Sequence, residues 1–211
     1  SVKLYFMLGL PTETDEDVAA IAELVNKIVY CWRQSATNKK RRLSINLATA
    51  FFVPKPFTPF QWEKQTSPEE YLRRVHLLQS CLTARGVDYR YHESDLSRLE
   101  AVLARGDRRL SKVLLRAHEL GCKLDGWDEY FRYDLWMQAF SDCGVDPEFY
   151  TTRGFAEDEI LPWQTIDIGV SRDFFLRERA LAYQSVTTPD CRTKCAGCGA
   201  RSLSERGVCD E

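Results

Sequence analysis

The hydrophobic pattern of the first part of the chain alternates between strand-like and helix-like segments. Compact apolar runs at 2–8, 43–52 and 87–92 have the length of buried strands. Residues 15–33 carry apolar side chains three and four positions apart, which is the spacing of one helical face. Residues 67–84 open with Ser-Pro-Glu-Glu, a sequence typical of a helix start. This order of elements predicts an α/β fold.

From residue 94 onward the pattern changes to consecutive helices without intervening strands. Such a run predicts a helical subdomain appended to the α/β part. We therefore divide the chain into an α/β segment at 1–93, a helical subdomain at 94–186 and a cysteine-rich tail at 187–211. The core of the subdomain is expected to contain Trp127, Trp136 and Trp163. The predicted helices cover 96–103, 110–120, 128–140 and 172–183.

Composition narrows the class of protein without identifying it. The net charge of −2 provides no overall field that would recruit nucleic acid or an anionic membrane. The apolar run at the N-terminus is too short for a signal sequence or a membrane span, so no membrane contact is expected. The chain opens inside a strand at Ser1 without an initiator methionine, which agrees with a piece of a larger protein.

Half of the eight cysteines fall in the tail, at Cys191, Cys195, Cys198 and Cys209. Without a secretion signal, this crowding indicates a reducing, cytoplasmic compartment and metal ligation rather than disulfides. Four thiolates fit either zinc or an iron–sulfur cluster, and the spacing neither separates these metals nor proves that Cys209 is the fourth ligand. The alternative is a disordered tail whose thiols bind their metal only in the full protein.

Two loops follow predicted strands and are candidates for ligand contact. The turn from Gly9 to Thr14 leads into a helix, so its backbone amides and the helix dipole could hold a polar or anionic group. The loop at 53–62 is rigid because it contains three prolines, and it is rich in aromatic residues. α/β folds place ligand contacts in such loops, although a stiff structural crossover explains this one equally well.

A family resemblance runs through nearly the whole chain. The segment YFMLGLPTETDEDV resembles the strand, turn and helix of radical S-adenosylmethionine enzymes. The segment FFVPKPFTPFQW is similar to the next strand and loop in the subgroup that carries an N-terminal cobalamin-binding domain. Together the matches resemble an uncharacterised family of B12-binding radical S-adenosylmethionine proteins. Four further segments extend the likeness: LEAVLARGDRRL, GWDEYF, LPWQTIDIGV and DCRTKCAGCG.

The resemblance implies that residues 1–93 are the C-terminal strands and helices of a partial (β/α) barrel. In that family the three-cysteine loop that holds the catalytic 4Fe–4S cluster lies upstream of the turn, as does the cobalamin domain. The expected partner of this chain is therefore the remainder of the parent protein. The parent reaction would begin with cleavage of the cofactor to a 5′-deoxyadenosyl radical, and the fragment alone is expected to be inactive.

The resemblance also assigns the turn a place near the S-adenosylmethionine pocket. The residues that match the family's turn are Gly9, Pro11, Glu13 and Thr14. The alternative is that these residues only shape the turn.

The spacing Cys191-x3-Cys195-x2-Cys198 equals that of the radical-initiating cluster loop. Three observations oppose that role. Only thirteen residues follow Cys198, which is too few for a barrel; Gly197 stands where the family's loop has an aromatic residue; and Cys209 would close the open coordination site. We therefore expect structural zinc or an auxiliary iron–sulfur cluster.

Four residues of the middle of the chain are candidate anion or substrate contacts: Arg105, Asp107, Arg108 and His92. Arginine forks suit phosphate or carboxylate, and an exposed imidazole can transfer protons. Ion pairing at a helix end explains the arginines more simply, and a surface histidine is more common than a catalytic one.

The competing hypothesis is a metal-stapled module that binds RNA or a protein partner. Phosphate contacts would come from the arginine cluster around Gly106 and from a basic run. A solvated loop explains that run more simply, and the acidic net balance weakens the hypothesis further. The run consists of Lys39, Lys40, Arg41 and Arg42.

Overall fold

The computed structural model describes residues 1–38 and 42–200. Its first part is a sheet of three parallel strands in chain order, with Ile45 paired to both Val2 and Val87. The mixed α/β character predicted from the sequence is confirmed. In chain order the elements are β1 (Val2–Leu8), α1 (Asp15–Ser35), β2 (Ile45–Phe51), α2 (Pro68–Cys81) and β3 (Val87–Tyr91).

One face of the sheet is covered by both α1 and α2. The two helices turn toward it the apolar side chains that the spacing of three and four predicted, among them Val18, Val25 and Val75. Burial of this apolar surface stabilises the α/β part. The strand residues that pack on this face are Leu4, Phe6, Leu8, Ile45, Leu47, Phe51, Val87, Tyr89 and Tyr91.

The opposite face of the sheet has no helix on it within the described ranges. Tyr5 is 74% exposed and Met7 is 50% exposed, although both lie within a strand of a parallel sheet. Parallel sheets ordinarily bury both faces, so this surface is unusual. We call it the open face; its residues are Lys3, Tyr5, Met7, Asn46, Ala48, Ala50, Asp88 and Arg90.

After the sheet the described residues form helices joined by irregular segments, with no strand among them, as expected. A second hydrophobic core joins the helices that follow the sheet, and a third connects Trp62 of the loop after β2 with Trp163 and Phe175. No helix of the described part combines the length and apolarity needed to cross a membrane. These helices are α3 (Ser94–Arg105), α4 (Leu110–Leu120), α5 (Tyr133–Asp142), α6 (Glu148–Thr151) and α7 (Arg172–Tyr183).

Two expectations about the aromatic segment before α5 are wrong. The helix predicted over 128–140 begins only at Tyr133, because turns that start at Leu124 and Trp127 precede it. Leu124, in the first of these turns, has a left-handed φ of 58°. Trp127 is 63% exposed and does not belong to the core. Trp136 and Trp163 are buried as expected.

Arg105 is a buried connector rather than a surface contact. Its exposed fraction is 0%, and it donates to the carbonyl oxygens of Tyr150 and Glu63 at 2.8 Å each. Weaker bonds reach three further carbonyls, and the guanidinium stacks on Phe155 at 4.5 Å. Burial lowers the pKa of Arg105 to about 10, so the group is still charged at neutral pH. The expectation that Arg105 contacts an anionic ligand is therefore wrong, since protein carbonyls occupy its donors.

Replacing Arg105 with methionine should lower the free energy of unfolding by about 3 kcal/mol or more, because buried carbonyls lose their donor. Urea unfolding followed by circular dichroism measures the change. Arg108 is the matched control, because it is exposed in the same loop and Arg108→Met should cost less than about 0.5 kcal/mol. Equal losses in the two variants would contradict the role given to Arg105.

Candidate functional site

Three segments meet beyond the carboxyl ends of the strands. The Phe52 N–H donates to the carbonyl of Leu8 at 2.9 Å, and the His92 N–H donates to the carbonyl of Thr49 at 3.0 Å. These bonds extend the sheet pairing. The turn after β1, the loop after β2 and His92 after β3 therefore all leave the sheet at the carboxyl end of the strands. Ligand sites of parallel α/β proteins lie at this end.

A concavity of about 540 Å³ lies at this end of the open face. Leu10 of the turn and His92 both line it, so the structure brings together two elements that the sequence placed 82 positions apart (92 − 10). The side chain of His92 is exposed, and its carbonyl accepts from the Tyr71 hydroxyl at 3.0 Å. The other lining residues are Tyr5, Phe6, Met7, Ala48, Thr49 and Ala50.

The turn after β1 requires glycine at its first position. Gly9 has a φ of +92°, and a β-carbon there would lie 3.3 Å from the ring of Phe51. The Gly9 N–H donates to the Glu13 carboxylate at 2.9 Å. The Glu13 side chain therefore closes the turn by accepting a hydrogen bond from its first residue.

A chain of alternating charges ties this turn to α2. Arg74 pairs with Glu13 at 2.5 Å and with Glu70 at 3.0 Å, and Arg73 links Glu70 to Asp15 at 2.7 and 2.6 Å. Burial raises the pKa of Glu13, whose side chain is only 5% exposed, against the lowering effect of Gly9 and Arg74. The hydrogen bond from Arg73 holds the pKa of Glu70 at about 2. Both carboxylates already have cationic partners.

Thr14 begins α1 as its N-cap. Its hydroxyl accepts from the Asp17 N–H at 3.2 Å, and the Asp17 carboxylate accepts from the Thr14 N–H at 2.9 Å. This reciprocal pair satisfies two amides at the helix start. The side chains of Glu13 and Thr14 thus shape the turn, while Pro11 is half-buried within it. Contact between the turn and a cofactor stays a prediction.

The arginine cluster after α3 is organised by ion pairing. Asp107 pairs with Arg109 at 2.7 Å and accepts from the Tyr150 hydroxyl at 3.3 Å. Arg109 lowers the pKa of Asp107 through this hydrogen bond. Arg108 is exposed. Helix-end pairing therefore accounts for Asp107, as the simpler interpretation predicted.

The hypothesis of an RNA-binding module loses part of its support, because Arg105 is enclosed. Of the basic run, Arg42 is exposed, while Lys39, Lys40 and Arg41 lie outside the described residues.

The cysteine loop docks on the start of α7. The Ser171 N–H donates to the carbonyl of Cys198 at 2.8 Å. The sulfurs of Cys195 and Cys198 accept from the backbone amides of Gly197 and Ala200 at 3.4 and 3.5 Å. Amides aimed at sulfur stabilise thiolates, which are the form that binds metal. Within residues 1–38 and 42–200, however, no three ligating side chains come close enough to hold an ion. Cys209 lies outside the described residues.

The structure also contains a pocket that the sequence did not predict. We call it the aromatic pocket; it has a volume of about 220 Å³ and lies between the loop after β2 and the start of α7. The prolines and aromatics of that loop were the available signal, and they suggested ligand contact without indicating which side chains take part. Its lining includes Phe57, Gln61, Trp62, Trp163, Arg172 and Phe175.

Comparisons with known proteins identify a distant relative of unknown function. No protein-family profile matches the chain, and no solved structure matches it. It is 28% identical over 144 residues to an uncharacterised protein of Methanocaldococcus jannaschii. The matched region is 68% of this chain but 30% of that protein, so the chain spans less than a third of the relative's length.

Loss of the buried pair between Arg74 and Glu13 should destabilise the protein more than loss of the exposed pairs of Arg73. Arg74→Met leaves the buried Glu13 without its cation and should lower the free energy of unfolding by about 2–3 kcal/mol. Arg73→Met removes two pairs, to Asp15 and Glu70, whose side chains are largely exposed, and should cost less than about 1 kcal/mol. Guanidinium unfolding curves test the order, and a larger loss for Arg73→Met would contradict it.

Proposed function

We propose that this chain is the C-terminal portion of a B12-type radical S-adenosylmethionine iron–sulfur enzyme whose substrate is unknown. Residues 1–93 then form the last strands of its partial (β/α) barrel. The supporting observation is the placement of α1 and α2 on the same face of a parallel sheet whose strands follow chain order. A (β/α) barrel carries its helices only on the outside, and this sheet agrees with that arrangement. One βαβαβ half of a doubly wound sheet places its helices in the same way, so the family resemblance is what favours the barrel.

The open face has the character of a barrel interior. Its three rows follow from the register: Lys3 beside Asn46 and Asp88, Tyr5 beside Ala48 and Arg90, and Met7 beside Ala50. Ionisable side chains lie at the amino end, while the carboxyl end is mostly apolar and carries His92 at its rim. β1 pairs only with β2 in the described part, so its other edge can accept a preceding strand.

The turn after β1 would contribute to the cofactor site mainly through its backbone and Leu10. The Glu13 carboxylate is engaged by Gly9 and Arg74, and the Thr14 hydroxyl caps α1. His92 is the exposed polar group at the rim of the concavity and is the residue we favour for contact with substrate. S-adenosylmethionine at an upstream 4Fe–4S cluster supplies radical hydrogen abstraction when bound, and cobalamin is a further cofactor that the resemblance implies.

We further propose that the tail binds zinc or an auxiliary 4Fe–4S cluster through Cys191, Cys195 and Cys198, with Cys209 as the candidate fourth ligand. Two amide–sulfur hydrogen bonds and left-handed glycines at 197 and 199 support this assignment, because they hold the backbone close to the thiols. An all-thiolate set suits either metal.

The barrel proposal is tested by comparing this chain with the same chain extended by its natural upstream residues. A cysteine introduced by Ala48→Cys on the open face should react with maleimide about tenfold or more slowly in the extended protein, because preceding strands would cover it. Peptide mass spectrometry separates this site from the native cysteines. Glu23→Cys lies on the exposed side of α1 and should react equally in both proteins.

The same pair of proteins tests the chemistry. After anaerobic reconstitution with iron, sulfide, reductant and S-adenosylmethionine, only the extended protein should form 5′-deoxyadenosine. Formation by this chain alone would contradict the upstream position of the catalytic cluster. Equal labelling of the Ala48→Cys site in both proteins would contradict the barrel itself.

Metal binding by the tail is tested in the chain itself. Reconstitution with zinc, or with iron and sulfide, should load about one metal centre per chain, because thiolate sites of this kind bind zinc with about 10–16 kcal/mol. Metal analysis with visible and EPR spectra distinguishes the two metals. Cys195→Ser should abolish loading, while Cys31→Ser, at an exposed site on α1, should not. Loading that survives Cys195→Ser would exclude the site.

A further inference from the structure

The aromatic pocket contains polar hydrogens that lack acceptors. Gln61 is 4% exposed, and its Oε1 accepts from the Trp163 indole at 2.7 Å and from the Phe57 N–H at 3.2 Å. Because both neighbours can only donate, the oxygen of the carboxamide is fixed on that side and its Nε2 is fixed on the other. In the described part this Nε2 has no acceptor, and it is not among the fully enclosed polar atoms. It therefore borders accessible space, and the space that Gln61 lines is this pocket.

A second donor in the same wall is also without a partner. Trp62 is 2% exposed, and its Nε1 has no hydrogen bond within the described ranges. A buried donor left unpaired costs about 1–3 kcal/mol. Gln61 and Trp62 line the same cavity, but the Nε1 of Trp62 is fully enclosed, so Gln61 Nε2 is the one of these two donors that borders the accessible space. An accessible carboxamide donor without an acceptor is what a site for a hydrogen-bond acceptor requires.

The rim adds a cation. Arg172 lines the pocket, is exposed, and lies 5.8 Å from the ring of Trp62. One of its terminal nitrogens donates to the carbonyl of Glu157, which leaves further N–H groups for a ligand. Asp167 also lines the rim, where its carboxylate accepts from the Gly169 N–H at 2.7 Å; solvent screens its charge and that of Arg172 alike, because both side chains are exposed.

The walls favour a flat ligand. Phe57, Trp62, Trp163 and Phe175 contribute aromatic surface, and the volume of about 220 Å³ is below the range of drug-sized pockets. Phe57 has a left-handed φ of 58°, a conformation that costs about 1–3 kcal/mol and that its hydrogen bond to Gln61 helps to hold. The hydrogen bond to Gln61 thus holds the strained backbone of Phe57, whose side chain lines the pocket.

We propose that the aromatic pocket binds a small planar carboxylate. The ring of the ligand lies among the aromatic side chains, and its oxygens accept from Gln61 Nε2 and Arg172. This assignment does not depend on the barrel or on a metal in the tail, because its donors belong to the loop after β2 and to α7.

The cysteine loop contacts the pocket's outer wall. The Ser171 N–H, adjacent to Arg172, donates to the Cys198 carbonyl at 2.8 Å. A β-carbon on Gly199 would lie 3.1 Å from the carbonyl of Gly169. The pocket and the cysteine loop therefore share the segment 169–172.

The test uses the full chain and the probe naphthalene-2-carboxylate, with naphthalene-2-methanol as its neutral analogue. Calorimetry and ligand-observed NMR should show the carboxylate binding with a dissociation constant below about 1 mM, and the alcohol binding about tenfold more weakly. Quenching of tryptophan fluorescence should accompany binding, because two of the five tryptophans, Trp62 and Trp163, line the pocket.

Two variants examine the donors separately. Gln61→Glu keeps an oxygen for Trp163 and Phe57 but replaces the free donor with a negative charge, and it should weaken binding of the carboxylate about tenfold or more. Arg172→Gln removes the exposed cation without disturbing the core and should weaken it about tenfold. Arg33→Gln, at an exposed arginine of α1 outside the pocket, should leave binding unchanged.

Three results would overturn the proposal. These are the absence of binding at about 5 mM carboxylate, equal binding of the acid and the alcohol, and unchanged affinity in both the Gln61→Glu and Arg172→Gln variants. Thermal unfolding of each variant accompanies the titrations. Because Arg172 is exposed, its substitution tests the proposal even where Gln61→Glu lowers stability.

Discussion

The buried guanidinium of Arg105 is the interaction on which the arrangement of the chain depends. It is carried on the end of α3, yet its hydrogen bonds reach Glu63 in the loop after β2 and Tyr150 in α6. Full burial of a charge is costly unless its donors are satisfied, and here carbonyl oxygens and the ring of Phe155 surround it. The same junction is reinforced by Gln65, whose backbone N–H donates to Thr151 at 2.8 Å. The α/β part and the helices are therefore positioned by polar bonds as well as by packing.

The covered and open faces of the sheet follow from the alternation of side chains along the same strands. Alternation places Leu4, Phe6 and Leu8 against α1 and α2, and places Tyr5 and Met7 on the other side. Since both helices are used on one face, nothing in the described part covers the other. The charge chain from Glu13 through Arg74 to α2 then fixes the turn at the end of β1 relative to the neighbouring helix. A fixed turn beside an open concavity is the geometry that a cofactor or substrate site needs.

The sequence predicted what depends on neighbouring residues. The Ser-Pro start of α2 at Ser67 and Pro68 and the spacing of Val18 and Val25 are local patterns, and each takes the predicted form. The sequence did not predict contacts between distant residues. Arg105 meets Tyr150 across 45 positions and Trp163 meets Gln61 across 102, and no local pattern marks either pair. Trp127 failed for the same reason, because an aromatic residue in a turn packs only where the fold provides a surface.

The loop after β2 connects the two candidate sites of the molecule. Its first residue, Phe52, continues the sheet through its bond to Leu8, and its last residues, Gln61 and Trp62, line the aromatic pocket. Three prolines between these ends remove amide donors and restrict φ, so the loop is stiff. The end of the loop is anchored as well, since the Trp62 carbonyl accepts from the Phe155 N–H at 2.8 Å. The carboxyl end of β2 and the aromatic pocket therefore lie at opposite ends of one conformationally restricted loop.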